Sequence, residues 1–271
     1  MLKIGLFIGF MLLISSCDNS KSPELSEGIW LGELEVQDSE ILPFNFQLRR
    51  NETGKLLIDI YNASEVIKVD EVTIKNDSII IRTPVFEGYI AGIFTENSIK
   101  GKFIKESLER TVLFKATFGT EERFNTFSKP QVHVSGIWET EFSPNTEDSY
   151  LGKGIFTQKD NKVVGTFRTT TGDYRYLEGV IDGDIMKVST FDGAHAFLFT
   201  AKVTDSSLKG TFYSGNHFQE PFIAKRNERF ELPNADSLTY LKKGYDKLEF
   251  SFPDSNGTLI SLDDDKFKDK V

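Results

Sequence analysis

The densest group of polar side chains with chemical potential lies in the second half of the chain, around two short turns. Asp173 and Arg175 belong to one turn, and Asp192 and His195 belong to the next. A carboxylate and an imidazole that approach each other can exchange protons with a substrate. The four residues are therefore a candidate ligand pocket. The alternative is that Asp192-Gly193 is a hairpin tip, and that Asp173 and Arg175 form a surface ion pair.

Cysteine and histidine are too scarce for the common redox and metal sites. The chain has one cysteine and three scattered histidines. A disulfide, a Cys-based zinc site or a thiol-disulfide active site needs two thiols or more. The acidic run at residues 263–265 is typical of a charged turn. We therefore expect no metal and no cofactor, and we assign no catalytic residue.

The first 17 residues have the pattern of an export signal. Lys3 precedes an apolar run at residues 4–14, which is too short for a membrane-spanning helix but suits a signal peptide. The sequence Ile14-Ser15-Ser16-Cys17 resembles a bacterial lipobox. This resemblance implies cleavage after Ser16 and acylation of Cys17, so that lipid holds the chain on a membrane of the cell envelope, facing the periplasm or the cell surface. An ordinary signal peptide with an incidental cysteine is the alternative.

The overall composition is that of a globular, β-rich protein. The 271 residues are 39% hydrophobic and 27% charged, which are ordinary values for a folded chain. Aromatic residues reach 13%, mostly phenylalanine, and this favours strands. The formal net charge is −9. Because nucleic acids are bound by basic surfaces, this charge argues against a nucleic-acid partner.

Short motifs recur in the same order along the chain, which indicates an internal repeat. The matched pairs are Gly28-Ile29-Trp30 with Gly136-Ile137-Trp138, residues 98–103 with 207–212, Phe86-Glu87-Gly88 with Phe191-Asp192-Gly193, and Phe114-Lys115-Ala116 with Phe222-Ile223-Ala224. We predict two copies, at residues 28–120 and 136–227, joined by a linker at residues 121–135.

Both copies alternate apolar and polar residues with a period of two, as strands do. Residues 56–60 and 78–82 in the first copy, and 185–190 and 208–213 in the second, are examples. Turns rich in Asn, Asp and Gly separate strands of about 5–8 residues, a spacing typical of sandwiches and barrels. The sequence therefore predicts an all-β fold with two tandem antiparallel β-sandwich or barrel repeats of about seven or eight strands each.

The opening Gly-x-Trp of each copy is similar to the first strand of lipocalin-type barrels, where the tryptophan closes one end. The residues concerned are Trp30 and Trp138. The motif covers three residues, so the two tryptophans could equally be ordinary core side chains.

The C-terminal segment departs from the repeat. Residues 238–243 could form a short helix, and residues 250–263 have the pattern of a strand, a turn and a strand. This pattern resembles the opening of the redoxin domain in TlpA-like proteins of the thioredoxin (AhpC/TSA) family. The residues that carry the resemblance are Phe252, Asp254, Gly257, Ile260, Ser261, Leu262, Asp264 or Asp265, Lys270 and Val271, with Asp269 where the family usually has glycine. Residues 170–179 and 189–197 are similar to the β region that precedes that domain.

The resemblance implies the N-terminal part of an envelope-anchored thiol-disulfide oxidoreductase, with client thiol or disulfide proteins as partners. Its Cys-x-x-Cys motif is absent from this chain, so the chain alone is expected to be inactive. The expected organisation is a signal peptide at 1–16, a tether at 17–27, the two β-modules with their linker, and, at 228–271, a linker with the truncated start of a thioredoxin-like domain. The alternative is a noncatalytic envelope lipoprotein whose twin β-modules bind a ligand.

Overall fold

The structure is a computed structural model that describes residues 24–84 and 87–268. The predicted signal peptide and Cys17 lie outside the described residues, as do residues 85–86 and 269–271.

The first copy forms a nine-stranded antiparallel sheet that curls into a nearly closed barrel. Its spatial order is β4-β3-β2-β1-β9-β8-β7-β6-β5, and the ladder is interrupted only between the consecutive strands β4 and β5. The strands are β1 Gly28–Glu35, β2 Ile41–Arg50, β3 Leu56–Asn62, β4 Glu65–Val69, β5 Glu71–Lys75, β6 Ser78–Arg82, β7 Tyr89–Thr95, β8 Ser98–Lys105 and β9 Arg110–Phe118.

The second copy forms a closed eight-stranded barrel, in which the last strand pairs with the first. Closure leaves no strand edge exposed. The strands are β10 Gly136–Phe142, β11 Tyr150–Lys159, β12 Lys162–Thr169, β13 Leu177–Asp182, β14 Ile185–Phe191, β15 Ala196–Val203, β16 Ser207–Ser214 and β17 Phe218–Arg226. The prediction of an all-β fold with two tandem antiparallel barrel-like repeats is therefore confirmed.

Equivalent glycines mark places where neighbouring strands of the barrels approach most closely. A Cβ added at Gly101 would lie 2.1 Å from the carbonyl oxygen of Ala91, and one at Gly210 would lie 2.0 Å from that of Thr200. Neither distance is tolerable for a side chain. The Lys-Gly pair that the two copies share, at 100–101 and 209–210, thus allows the strands to come close enough for the barrel to curl.

The two tryptophans occupy equivalent places at one end of each barrel. Both are fully buried, and each indole Nε1 donates to the carbonyl four residues earlier, Trp30 to Ser26 at 3.0 Å and Trp138 to Val134 at 2.8 Å. The residues paired with them differ. Phe118 packs against Trp30, whereas the guanidinium of Arg226 lies 4.2 Å above the ring of Trp138. The tryptophans are therefore both core side chains and end closures.

Aromatic rings fill the interior of the second barrel. They are Phe142, Phe156, Phe167, Tyr174, Phe197, Phe199, Phe212 and Phe222, with neighbouring centroids about 4.6–6.4 Å apart. At the end opposite Trp138, Glu220 accepts hydrogen bonds from Tyr150 and Ser143, both at 2.6 Å. Burial and the hydrogen bonds with Glu220 and Tyr174 raise the pKa of Tyr150 above its ordinary value. This barrel is thus packed along its length and closed at both ends.

Among the described residues, the first barrel has no such plug at the end opposite Trp30, and the second barrel covers that end instead. Phe191, Ala196, Leu198 and Tyr213 face outward from the second barrel, yet they belong to the buried core of the first. The ring of Phe191 stacks on Phe44 at 4.3 Å between centroids. The end of one barrel therefore docks on the side of the other.

The C-terminal segment does not support the redoxin interpretation. Helix α1 is a single turn, Ala235–Leu238, and the hairpin consists of β18 Ser251–Pro253 and β19 Leu259–Ser261. Among the described residues, these two strands pair only with each other. Asp254 Oδ1 accepts hydrogen bonds from the backbone of Asn256 at 2.8 Å and Thr258 at 2.9 Å. The Asp-x-x-Gly pattern thus reflects ordinary turn chemistry, which many hairpins share.

No helix in residues 24–84 or 87–268 is both long enough and apolar enough to cross a bilayer.

Candidate functional site

The junction between the barrels holds most of the buried polar groups of the protein, and one of them comes from the linker. Arg123 is buried and reaches both barrels. It donates to the carbonyl oxygens of Tyr61 in the first barrel and of Ser189 in the second, the latter at 3.1 Å. Its Nη2 also lies 3.5 Å from Glu178 Oε2. Burial lowers the pKa of Arg123, and Glu178 partly opposes that effect.

A second set of buried hydrogen bonds joins strands of the two barrels. The side-chain amide of Asn62 donates to the carbonyl of Phe191 at 2.9 Å and accepts from its backbone N–H at 3.2 Å. Ser189 Oγ donates to the carbonyl of Pro43. These hydrogen bonds give partners to outward-facing backbone groups that the strand-to-strand hydrogen bonds leave unpaired. Buried polar groups need such partners.

Asp192 is the centre of the polar network that the sequence analysis singled out. Its carboxylate is almost fully buried and accepts from the backbone N–H groups of Ala194 at 2.8 Å and His195 at 2.6 Å. Its Oδ2 also lies 2.9 Å from Nδ1 of His195. Burial alone raises the pKa of Asp192, but the hydrogen bonds from His195 and Ala194 outweigh it and hold the pKa below its ordinary value.

Arg175 links this carboxylate to the first barrel. Its Nε lies 3.2 Å from Asp192 Oδ2, and its Nη2 binds Glu65. Arg175 has a left-handed backbone, with φ of 63°, which is unusual for a non-glycine residue. Asp173 stabilises that turn, because its Oδ1 accepts from the backbone N–H of Arg175 at 2.9 Å.

The structure therefore brings Arg175, Asp192 and His195 into one contact network and places Asp173 at its edge. Asp192-Gly193 is also a tight turn, so the alternative interpretation of this dipeptide describes its backbone correctly. Asp173 binds the backbone of Arg175, not its guanidinium. The sequence analysis missed Arg123 and Glu65, since neither lies in a motif.

The network separates two surface depressions at the junction. The inter-barrel cleft, with a volume of about 860 Å³, is lined by Ala63 and Ser64 of the first barrel and, among others, by Ile155, Val164, Arg168, Asp173, Arg175, Tyr176 and Glu178 of the second. The histidine pocket, of about 260 Å³, is lined by Lys105, Arg110, His195, Ser214 and His217 among others. The four residues predicted as one pocket are thus divided between two depressions, with Asp192 buried between them.

No group of three or more potential metal-ligating side chains occurs among the described residues.

Replacing Asp192 with asparagine is expected to cost about 1–3 kcal/mol of unfolding free energy at neutral pH, because buried partners lose their charged acceptor. The folded pKa is depressed, so this stability is present above the unfolded value of about 3.8 and is lost as the pH falls through the folded pKa. The difference in unfolding free energy between wild type and Asp192→Asn should therefore become smaller below about pH 4. Urea titrations at several pH values measure it. A gap that stays constant into acid, or matches that of exposed Asp205→Asn, contradicts the assignment.

Comparisons with known proteins give few relatives. The chain matches no known protein family and no curated protein. A solved structure from Bacteroides fragilis, provisionally described as an outer membrane protein, aligns over 76% of this chain and 98% of its own, with 13% identity and a TM-score of 0.25. A protein of unknown function from Nostoc punctiforme, of the DUF3598 family, aligns over 74% and 96%, with 12% identity and a TM-score of 0.24. Similarities this weak do not transfer a function.

These findings contradict the assignment to the TlpA-like redoxin family. No thioredoxin or redoxin family matches the chain, and neither solved structure is described as a protein of that kind. Residues 170–179 and 189–197, which carried part of the resemblance, form barrel strands and the turns at the junction. The prediction of a thiol-disulfide oxidoreductase is therefore wrong.

Proposed function

We propose that the protein is a noncatalytic binding protein of the bacterial cell envelope, anchored by lipid at Cys17, and that the inter-barrel cleft is its ligand site. The observation that carries this proposal is the cleft itself, a depression of about 860 Å³ that is lined by the second barrel and bordered by Ala63 and Ser64 of the first. Ligand sites of proteins commonly lie where two domains meet and fall in this size range.

The alternative of acid/base catalysis by Asp192 and His195 is disfavoured by accessibility. A catalytic group must come within hydrogen-bond reach of the substrate. The carboxylate of Asp192 is 1% exposed, and its oxygens bind His195, Ala194 and Arg175. This arrangement fixes the junction, and a substrate has no route to the carboxylate.

The cleft lining favours a neutral, hydroxyl-rich ligand with an apolar face, the chemistry of a saccharide. Two arginines and two carboxylates balance each other, and Arg175 and Glu178 already pair with protein groups. Thr157 and Thr166 line the cleft together with the aliphatic side chains of Ile155 and Val164. Tyr176 is half exposed at the wall, where its ring can stack on an apolar ligand face.

Replacing Tyr176 with alanine is expected to weaken saccharide binding about tenfold, the loss of one aromatic stacking contact. The measurement is an array of neutral oligosaccharides probed with the full chain, followed by calorimetry on the best binder. Tyr240→Ala removes an exposed tyrosine from the C-terminal segment and serves as the control. If no neutral saccharide binds, or if both variants bind as well as wild type, the proposal fails.

Replacing Cys17 with alanine is expected to abolish labelling by radioactive palmitate and to release the protein from the membrane fraction, because acyl chains would be its attachment. Labelling and fractionation of cells that express either form measure this. An unlabelled wild type, or a variant that remains on the membrane, contradicts the anchor without affecting the cleft.

A further inference from the structure

The histidine pocket lies on the other side of Asp192 from the inter-barrel cleft and is independent of it. Three turns converge on it. Lys105 and Arg110 flank the β8–β9 turn of the first barrel, His195 lies in the β14–β15 turn, and His217 lies in the β16–β17 turn.

Hydrogen bonds across the junction hold these turns together. Asn216 Nδ2 donates to the carbonyl of Thr111 at 2.9 Å, which clamps the β16–β17 turn onto the first barrel. Lys105 Nζ donates to the carbonyl of Ala194 at 3.3 Å, which brings its charge to the pocket wall. The pocket is therefore built from both barrels and does not depend on one mobile loop.

The charge at the pocket is one-sided. Of the described residues that line it, four carry cationic or imidazole side chains and none carries a carboxylate. The nearby carboxylates of Glu106 and Asp192 do not line the pocket: Glu106 accepts from Tyr89 at 2.6 Å, and Asp192 is buried, with its Oδ2 2.9 Å from Nδ1 of His195. Burial, Arg110 and Lys105 together lower the pKa of His217, in keeping with positive charges close to its ring.

We propose that the histidine pocket binds a small oxyanion of the phosphate type. Arg110 and Lys105 supply the charge, and His195, His217 and Ser214 supply further polar groups from the opposite wall. Charge-assisted hydrogen bonds of this kind are the strong ones, and arginine is suited to phosphate geometry. Because cationic and polar side chains of both barrels line the pocket, a tetrahedral anion with at least three accepting oxygens would satisfy more of them than a planar carboxylate. A volume of about 260 Å³ admits phosphate or a small phosphomonoester but not a nucleotide-sized ligand.

The asymmetry between the repeats supports the same assignment. The equivalent turn of the first copy contains Glu87-Gly88 where the second has Asp192-Gly193, and it has no histidine. Gly88 and Gly193 pack against each other, because a Cβ at Gly88 would lie 2.2 Å from the carbonyl oxygen of Gly193. The two equivalent turns therefore meet at the junction, and only the second one brings an imidazole to the pocket.

The experiment is calorimetric titration of the full chain with inorganic phosphate, with acetate as a second probe. Saturable phosphate binding that Arg110→Gln weakens at least about tenfold is expected, since a charge-assisted contact is lost. Lys68→Gln removes an exposed lysine of the first barrel and should bind phosphate as wild type does.

A second readout needs no variant. Phosphate should shift the imidazole ¹⁵N resonances of His195 and His217 while leaving those of His133 in place. Absence of saturable phosphate binding, equal binding of acetate, or unchanged affinity in Arg110→Gln overturns the proposal. A matching melting temperature for Arg110→Gln shows that a lost affinity is not lost folding.

Discussion

Phe191→Ala is expected to lower the free energy of unfolding of the first barrel by about 3–5 kcal/mol, although Phe191 belongs to the second. Its side chain is fully buried, stacks on Phe44 and meets Phe103 edge-on at 5.0 Å. Truncation leaves a cavity at the end of the first barrel that the second barrel covers. The loss should therefore appear in the first barrel.

Hydrogen exchange resolved by residue distinguishes the two barrels in this test. Amides of β2 and β8 should exchange faster in Phe191→Ala, while amides of β11 and β12 should keep most of their protection. Phe127→Ala provides the control, because that side chain is 88% exposed. Equal loss of protection in both barrels, or no loss in the first, would contradict the idea that the second barrel completes the core of the first.

The strands and the repeat could be predicted from the sequence because their physical cause is local. Alternation with a period of two specifies which side chains face a barrel interior, and the Gly-x-Trp motif specifies an equivalent position in both copies. The confirmed fold class follows from these two signals. The turn of the C-terminal hairpin also has a local cause, so the same pattern occurs in many unrelated proteins. This is why it was mistaken for a family motif.

The junction could not be predicted because its residues look ordinary in sequence. β14 presents Ser189 and Phe191 outward, where a closed barrel normally faces water, and both are buried by the first barrel. Arg123 stands in a linker without pattern. Only the two turns with Asp173 and Arg175 and with Asp192 and His195 were noticed, since they concentrate polar residues. What the Asp192 turn does depends on Arg175 and Glu65, which come from distant positions and meet only after both barrels have formed.

Arg123→Ala is expected to lower the free energy of unfolding by about 3 kcal/mol, the lower end of the range for removing one partner of a buried ion pair. The carbonyl oxygens of Tyr61 and Ser189 lose their donor inside the junction, and each unsatisfied buried acceptor is costly. Glu178 is one-third exposed and keeps a hydrogen bond at 2.7 Å from the backbone N–H of Ala63, which limits the loss. Urea denaturation of the full chain measures it.

Two further variants separate the geometry of Arg123 from its charge. Arg123→Lys should recover less than half of the loss, because an ammonium group cannot reach two carbonyls and a carboxylate in the fork that the guanidinium provides. Arg229→Ala removes an exposed arginine and should change the stability by no more than about 0.5 kcal/mol. Full rescue by lysine would mean that charge alone matters at this position. An unchanged free energy of unfolding in Arg123→Ala would mean that the barrels hold together without this linker residue, and that packing around Phe191 is sufficient to join them.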